Sequence, residues 1–252
     1  MSGEVVLRPG NIIDYFMFKL IDPLTYPSGK ESGLNNTLRF FNKNIPNPED
    51  FLVFLSQKDF FPLVKLAENF HKKDERHASG DPYLKHIFYT SYLSYELLKT
   101  LKYDKKQARI FIAATLFHDT IEMKRANHEK ITKKDLYFKL KEKGIESKEA
   151  KKMENFCRIM YERSFLKLPK ELLEMAKNIN IADDVAIIRE IINDVISGND
   201  GPNIKVINHK SFADRITNYN DRIKIVADIY PNHPLLFQLR EDLNYLNKLL
   251  PQ

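Results

Sequence analysis

The feature that most constrains this fold is a helical spacing of apolar residues that begins at Pro48 and continues almost to the end of the chain. Apolar side chains recur there every three or four positions, which puts them on one face of an α-helix. Leu, Lys, Glu and Ile are plentiful, whereas Gly contributes only 8 of the 252 residues. All-β folds need many tight turns, so this composition favours helices. The sequence therefore predicts an all-α fold.

Helix boundaries follow from residues that start or stop helices. Pro48 and the acids after it suit a first helical turn, and Phe61-Pro62 should break or kink the helix that follows. Thr132, with an acid at Asp135, resembles a capping box. Residues 197–202 (SGNDGP) form a dense stop signal. The predicted helices cover residues 48–67 with the Phe61-Pro62 interruption, a stretch after Asp81-Pro82 that reaches Leu98, about 105–122, a helix opened by Thr132, 147–161, 169–177, 182–196, about 205–230 and 233–249.

The first 47 residues differ from the rest. They contain an aromatic, apolar piece and then a loop-rich stretch with several Pro and Gly residues. Their composition is not that of a disordered segment, so we expect them to pack against the helical body. The sequence thus predicts a loop-rich N-terminal extension, residues 1–47, and a helical domain, residues 48–252.

Cysteine content and apolar runs indicate the compartment. The single cysteine, Cys157, excludes an internal disulfide and fits a reducing cytoplasm. The start of the chain lacks the charged and apolar regions of a signal peptide. Its apolar stretch, residues 12–21, is interrupted by charges and is too short to span a bilayer. We therefore expect a soluble cytoplasmic protein without a membrane partner.

The net charge of +6 is compatible with two interpretations. A Lys-rich solvated surface is the simpler one, and attraction of an anionic nucleotide is the functional one. No basic array interleaved with aromatic residues, zinc-finger spacing or RNA-binding signature is present, so nucleic acid is not the expected partner. The charge by itself does not decide between them.

The strongest local signal for chemistry is the adjacent pair His118-Asp119 at the end of an Ala-rich apolar helix. Burying an imidazole and a carboxylate side by side costs several kcal/mol unless each is paired or bound to a cation. A divalent metal binds both imidazole nitrogen and carboxylate oxygen, which resolves that cost. Glu122 lies three and four residues after the pair, so it can face the same site.

Two further polar residues extend this pair into an ordered set. His86 comes upstream, at the start of a predicted helix, and Asp214 comes downstream, in an apolar helical context. A lone His-Asp pair is more often a helix end than a ligand pair. The set as a whole predicts a metal site.

These motifs resemble the HD superfamily of metal-dependent phosphohydrolases, and most closely the RelA/SpoT-type (p)ppGpp hydrolases. Residues 79–86 (SGDPYLKH) look like the Ser-Gly-Glu-Pro-Tyr-x-x-His segment of that family. Residues 118–122 (HDTIE) match its His-Asp-x-x-Glu-Asp motif except for the last acid. Residues 213–218 (ADRITN) resemble its Ala-Asp-Arg-Leu-x-Asn motif. His71 stands where the family often has a histidine in its first long helix.

The resemblance implies an HD-domain helical bundle and a role for each matched residue. One divalent metal, usually Mn²⁺ in this family, would be bound by four ligands, and Glu122 would act with Asp119 in catalysis by orienting or deprotonating the attacking water. Substrate contacts would come from five residues. The implied metal ligands are His86, His118, Asp119 and Asp214, and the implied substrate-binding residues are Arg76, His77, Ser79, Arg215 and Asn218.

Three differences from the family pattern bear on the substrate. Met123 replaces the acid that follows Glu122, and His77 stands at the position of a basic residue that stacks on guanine, with Arg76 shifted by one. The residues of this sequence after the last motif are too few for a synthetase domain, so we do not expect one here. The expected reaction is removal of the 3′-pyrophosphate from an alarmone nucleotide such as (p)ppGpp. Two alternatives remain open: another HD nucleotidase or phosphodiesterase, and a catalytically degenerate HD protein that binds a nucleotide or a protein.

Overall fold

A computed structural model of the chain shows an all-α architecture with one short antiparallel β pairing. The structure describes residues 43–46, 48–71, 74, 82–121, 131–162, 168–196, 206–207, 210–211, 217, 219–221, 223–224, 227 and 231–249. Its elements are α1 (Pro48–Ser56), α2 (Phe61–His71), α3 (Tyr83–Leu98), α4 (Lys105–Phe117), α5 (Lys133–Glu142), α6 (Ser147–Glu162), α7 (Lys170–Ile196), β1 (Val206–Ile207), β2 (Lys210–Ser211) and α8 (Pro234–Leu249). The predicted N-terminal extension lies almost wholly outside the described residues.

Helix α3 occupies the centre of the bundle. It is buried along nearly its whole length, and it packs against α4 on one side and α7 on another. Helix α8 packs on α7, and α5 pairs with α6. The described apolar side chains form one continuous core through these helices. A histidine on α3 is therefore enclosed by neighbouring helices rather than presented to water.

The start of α4 is determined by local chemistry. The Asp104 side chain accepts a hydrogen bond from the Gln107 backbone N–H at 2.8 Å, and the Gln107 side chain accepts one from the Asp104 N–H at 2.9 Å. This reciprocal capping box satisfies two N–H groups that the first turn leaves unpaired. The helix ends at Phe117, earlier than the predicted end near residue 122. His118 and Asp119 consequently lie in the turn that follows it.

Both ends of α5 have a capping motif, and the one at its start was predicted. Thr132 and Asp135 form the predicted capping box. At the other end Gly144 has φ +78°, a backbone conformation that side chains disfavour. The N–H of Gly144 donates to Lys141 O, and the N–H of Ile145 donates to Leu140 O. This pattern is the Schellman motif that closes a helix.

Two further predicted boundaries were wrong. Residues 169–177 and 182–196 were expected as two helices, but they form the single 27-residue helix α7. The intervening residues 178–181 contain no Pro or Gly, so nothing in the backbone stops the helix. The helix expected from about residue 205 is also not observed at its start, because Val206–Ile207 and Lys210–Ser211 pair as antiparallel strands. The break at Phe61-Pro62 is confirmed, with α2 starting at Phe61.

Within the part of the chain that the structure describes, no helix combines the length and apolar character needed to cross a bilayer.

Candidate metal centre

Two histidines from different helices meet beside the core. His86 lies in the first turn of α3 and His118 directly follows α4. Their ring centroids are 5.4 Å apart. His86 is 1 % exposed and His118 is 6 % exposed. Because α3 packs against α4, two residues far apart in the sequence present their imidazoles to one site.

Asp119 adds a carboxylate between the two rings. Its Oδ2 lies 3.1 Å from His118 Nε2 and 3.6 Å from His86 Nε2. One ligand atom from each of these three residues can be chosen so that all lie within 4.8 Å of one another. Two imidazole nitrogens and a carboxylate oxygen at this spacing form a donor set of the kind that divalent transition metals bind. These are three of the four ligands that the sequence predicted.

Both imidazoles have their Nδ1 atom committed to a neighbour. His118 Nδ1 donates to the backbone carbonyl of Thr115 at 2.6 Å, and His86 Nδ1 lies 3.2 Å from the Glu190 carboxylate. A hydrogen bond at one ring nitrogen determines the tautomer and leaves the other nitrogen for a metal. Both rings therefore present Nε2 to the site.

A fourth side chain, Asp183 of α7, lies close to both imidazoles. Its Oδ1 lies 3.0 Å from His86 Nε2 and 3.6 Å from His118 Nε2. Sequence reasoning missed this residue, although Asp183 interrupts an apolar helical stretch, which is the signal that singled out Asp214. Glu190 was also missed. It follows Asp183 by seven residues, close to two helical turns, so both acids occur on one face of α7.

The ionisable groups of this cluster shift one another's pKa values. Burial opposes protonation of His118, but the negative charge of Asp119 and contacts with Asp183 outweigh it and raise the pKa of His118 well above its usual value. Burial also opposes ionisation of the carboxyls, yet His118 and His86 outweigh that effect and lower the pKa of Asp119 and of Asp183. The carboxylates are thus ionised, and an imidazole carries the compensating positive charge when no cation does.

Two buried atoms of the cluster make no hydrogen bond within the described residues: His118 Nε2 and Asp183 Oδ1. Leaving such groups unpaired normally costs about 1 to 3 kcal/mol each. A divalent cation would satisfy both, since it accepts electron pairs from imidazole and carboxylate together. The donor set and its two unpaired atoms therefore fit a bound metal.

A second polar network supports the cluster from the α2 side. His71, at the end of α2, is 1 % exposed. Its Nδ1 lies 3.1 Å from Asp74 Oδ2 and its Nε2 lies 3.1 Å from Thr120 Oγ1. Its ring stacks on Tyr83 with centroids 5.4 Å apart. Tyr83 also donates its hydroxyl to Asp119 Oδ2 at 2.5 Å.

His71 is neutral in this network. Burial lowers the pKa of His71, and the neighbouring Asp74 offsets only part of that effect. With the Nδ1–H donated to Asp74, Nε2 accepts the hydroxyl hydrogen of Thr120. A Thr-His-Asp chain of this order resembles a nucleophilic triad, but Thr120 is 2 % exposed and out of reach of a substrate. The network is a support for the residues around Asp119.

The remaining predicted site residues lie outside the described part of the chain, so their placement stays a prediction. They are the fourth expected ligand, Asp214, the expected catalytic acid, Glu122, and the expected substrate contacts, Arg76, His77, Ser79, Arg215 and Asn218.

The sequence matches no protein-family model, and neither curated proteins nor solved structures give a significant match.

Proposed function

We propose that the chain is a metal-dependent phosphohydrolase that acts on a nucleotide, with an alarmone such as (p)ppGpp as the first substrate to test. The observation that carries the proposal is the convergence of His86, His118 and Asp119, whose ligand atoms lie within 4.8 Å of one another. The same three residues belong to the motifs of the sequence, residues 79–86 and 118–122. Their meeting at one buried point is what a metal site requires.

The residues of the chain prepare this site in a way that suits hydrolysis. Glu190 and the Thr115 carbonyl orient the two imidazoles with Nε2 inward. Asp119 is ionised and accepts the Tyr83 hydroxyl, which limits rotation of its carboxylate. A divalent cation bound there would lower the pKa of a water molecule and neutralise charge on a phosphate. The net charge of +6 suits a substrate as anionic as an alarmone.

The HD assignment and the preference for Mn²⁺ are part of the same proposal. They rest on the resemblance of residues 79–86, 118–122 and 213–218 to the motifs of the family. Glu122 is proposed to orient or deprotonate the attacking water, and Asp214 to serve as a ligand. The substrate contacts assigned to Arg76, His77, Ser79, Arg215 and Asn218 belong to the same proposal.

The test measures pyrophosphate release from ppGpp by the full chain, once with Mn²⁺ and once with EDTA. The same assay is run on a panel of other nucleotides. Turnover of ppGpp that EDTA abolishes is the expected result. Turnover restricted to another nucleotide would keep the phosphohydrolase and reject the alarmone. Absence of any turnover in a protein that binds Mn²⁺ would favour a catalytically degenerate nucleotide- or protein-binding HD protein. A chain that neither binds Mn²⁺ nor gains stability from it would overturn the proposal.

A further inference from the structure

Helix α7 contacts His86 through both ring nitrogens. Asp183 Oδ1 lies 3.0 Å from His86 Nε2, and Glu190 Oε1 lies 3.2 Å from His86 Nδ1. Both acids belong to the one uninterrupted helix α7. The side chain of Glu190 is 4 % exposed and that of His86 is 1 % exposed. The ring is therefore held between two carboxylates whose spacing is set by the helix itself.

The two carboxylates have different relations to the ring. A neutral imidazole has one N–H, and Glu190 accepts it at Nδ1. The Nε2 lone pair then faces Asp183 Oδ1 at 3.0 Å and Asp119 Oδ2 at 3.6 Å. Three electron-pair donors that meet without a hydrogen between them repel one another unless a cation lies among them. Either a second proton on His86 or a metal ion resolves this arrangement.

The distances fit a metal ion. Imidazole and carboxylate ligands bind divalent cations at about 2.0 to 2.2 Å, so neighbouring ligand atoms lie roughly 2.8 to 3.6 Å apart in octahedral or tetrahedral geometry. The distances between His86 Nε2 or His118 Nε2 and the two aspartate oxygens are 3.0, 3.1, 3.6 and 3.6 Å. All four values fall within that range.

The hydrogen-bonding state of the ligand atoms points the same way. Oδ1 of Asp183 and Nε2 of His118 are buried and make no hydrogen bond within the described residues. The two atoms lie 3.6 Å apart, beyond hydrogen-bond distance, so neither satisfies the other. Each lies beside another atom of the cluster: Asp183 Oδ1 is 3.0 Å from His86 Nε2, and His118 Nε2 is 3.1 Å from Asp119 Oδ2.

We infer that Asp183 is a ligand of the same cation as His86, His118 and Asp119, and that Glu190 is the positioning residue that directs His86 Nε2 toward it. The inference rests on the metal site of the proposed function and adds α7 to it. It makes α7 the third helical segment of the centre, beside the first turn of α3 and the turn after α4. Among the described residues the site then contains two imidazoles and two carboxylates, and the two carboxylates balance the charge of a divalent cation.

The first experiment measures the affinity of the full chain for Mn²⁺ alone, by calorimetric titration, in Asp183→Asn. We expect Asp183→Asn to bind Mn²⁺ roughly 10- to 100-fold more weakly than the wild type. Glu174→Gln is the matched control, because it removes one negative charge from an exposed position of the same helix. Its affinity should equal that of the wild type. Equal affinity in Asp183→Asn would overturn the inference.

A second substitution, which replaces the Asp183 carboxylate by a thiolate, keeps the test decisive if Asp183→Asn folds poorly. In Asp183→Cys, a thiolate at the site should shift the preference from Mn²⁺ toward Cd²⁺ and produce the ultraviolet charge-transfer absorption of cadmium thiolate. The wild type supplies a silent background, since Cys157 is buried and burial raises its pKa to about 12. Folded Asp183→Cys that binds Cd²⁺ without this absorption would overturn the assignment of Asp183.

The role of Glu190 is tested by comparing the Mn²⁺ affinity of two substitutions at this position. Glu190→Gln keeps an oxygen that accepts the Nδ1–H of His86, so it should retain most of the Mn²⁺ affinity. Glu190→Leu removes the acceptor and should lower the Mn²⁺ affinity roughly 10- to 100-fold. Equal affinities in the two variants would overturn the positioning role.

These outcomes separate this inference from the proposed function. Wild-type protein that binds no Mn²⁺ overturns both. A second outcome is that the wild type binds Mn²⁺, His118→Ala does not, and Asp183→Asn binds it with full affinity. That outcome would support the metal centre and overturn only the contribution of α7.

Discussion

The Tyr83 hydroxyl donates a hydrogen bond to Oδ2 of Asp119 over 2.5 Å, linking the first residue of α3 to the turn that follows α4. The acceptor is the same oxygen that lies 3.1 Å from His118 Nε2. Hydrogen bonds of this kind orient a ligating carboxylate and are a common support of metal sites. Tyr83 is in turn stacked on the buried ring of His71. The support of the candidate centre thus extends from α2 through α3 to Asp119.

Tyr83→Phe should weaken Mn²⁺ binding by roughly 10-fold or more while the protein stays folded, because only the hydroxyl that orients Asp119 is removed. Calorimetric titration with Mn²⁺ checks this. Tyr92→Phe is the matched control: it removes a hydroxyl from the same helix, on a residue that is 5 % exposed and stacked on Tyr89 instead. If both variants bind Mn²⁺ as the wild type does, the hydroxyl of Tyr83 has no part in the site.

Asp119→Ala should abolish both Mn²⁺ binding and any phosphohydrolase activity, because it removes the carboxylate that lies between the two imidazoles. Metal content after dialysis and product release from ppGpp are the measurements. Asp221→Asn, which neutralises an exposed carboxylate, serves as the control and should leave both unchanged. Full activity in Asp119→Ala would overturn the assignment of the site.

His71→Leu should lower the free energy of unfolding by about 2 to 5 kcal/mol, because it leaves two buried partners, Asp74 and Thr120, without their hydrogen bonds. Urea denaturation followed by circular dichroism provides the value. Thr120→Val removes only one of the two bonds and should cost about 1 kcal/mol. In the double variant the two costs should not add, because the residues share an interaction. Simple additivity would show that the His71–Thr120 contact contributes no coupling.

Protonation of His233 should destabilise the protein in mildly acidic solution. The imidazole accepts the Leu235 N–H through Nδ1 and contacts Asn178 Oδ1 through Nε2. Burial lowers its pKa from 6.5 to about 4. The unfolded chain therefore binds the proton first, so this contribution is present above pH 6.5 and is lost as the pH falls from 6.5 to about 4.

The midpoint of thermal unfolding, measured between pH 4 and pH 7, tests this contribution of His233. His233→Asn keeps a side-chain acceptor for the first turn of α8 and removes the titrating group. The decline of the midpoint toward acid should therefore be shallower in this variant than in the wild type. Parallel curves would assign the pH dependence to other groups.

Most of the helical architecture could be predicted because its causes are local. The start of α3 after Asp81-Pro82, the break at Phe61-Pro62 and the capping box of Thr132 and Asp135 each depend on residues within one turn of the boundary. The continuity of α7 is compatible with its local sequence, since residues 178–181 contain no Pro or Gly. The middle of this helix also contacts distant elements, as Asn178 does with Tyr103 and with His233.

The candidate centre was predictable only in part. Motif order selected His86, His118 and Asp119, and the structure brings their ligand atoms together. Motif order did not select Asp183 or Glu190. Neither has a neighbouring motif residue, and an acid in a helix is usually solvated. What distinguishes them is burial against His86, which no spacing along the chain reports.

The sequence by itself determined the secondary-structure class, most of the helix boundaries and the two motifs that contain His86 and the His118-Asp119 pair, because these depend on residues close together in the chain. Only the tertiary structure decided which acids surround the imidazoles. Packing of α7 against α3 places Asp183 and Glu190 on opposite nitrogens of His86, more than ninety positions away in sequence. Such contacts follow from how buried helix faces fit together, which depends on the shape of the whole core.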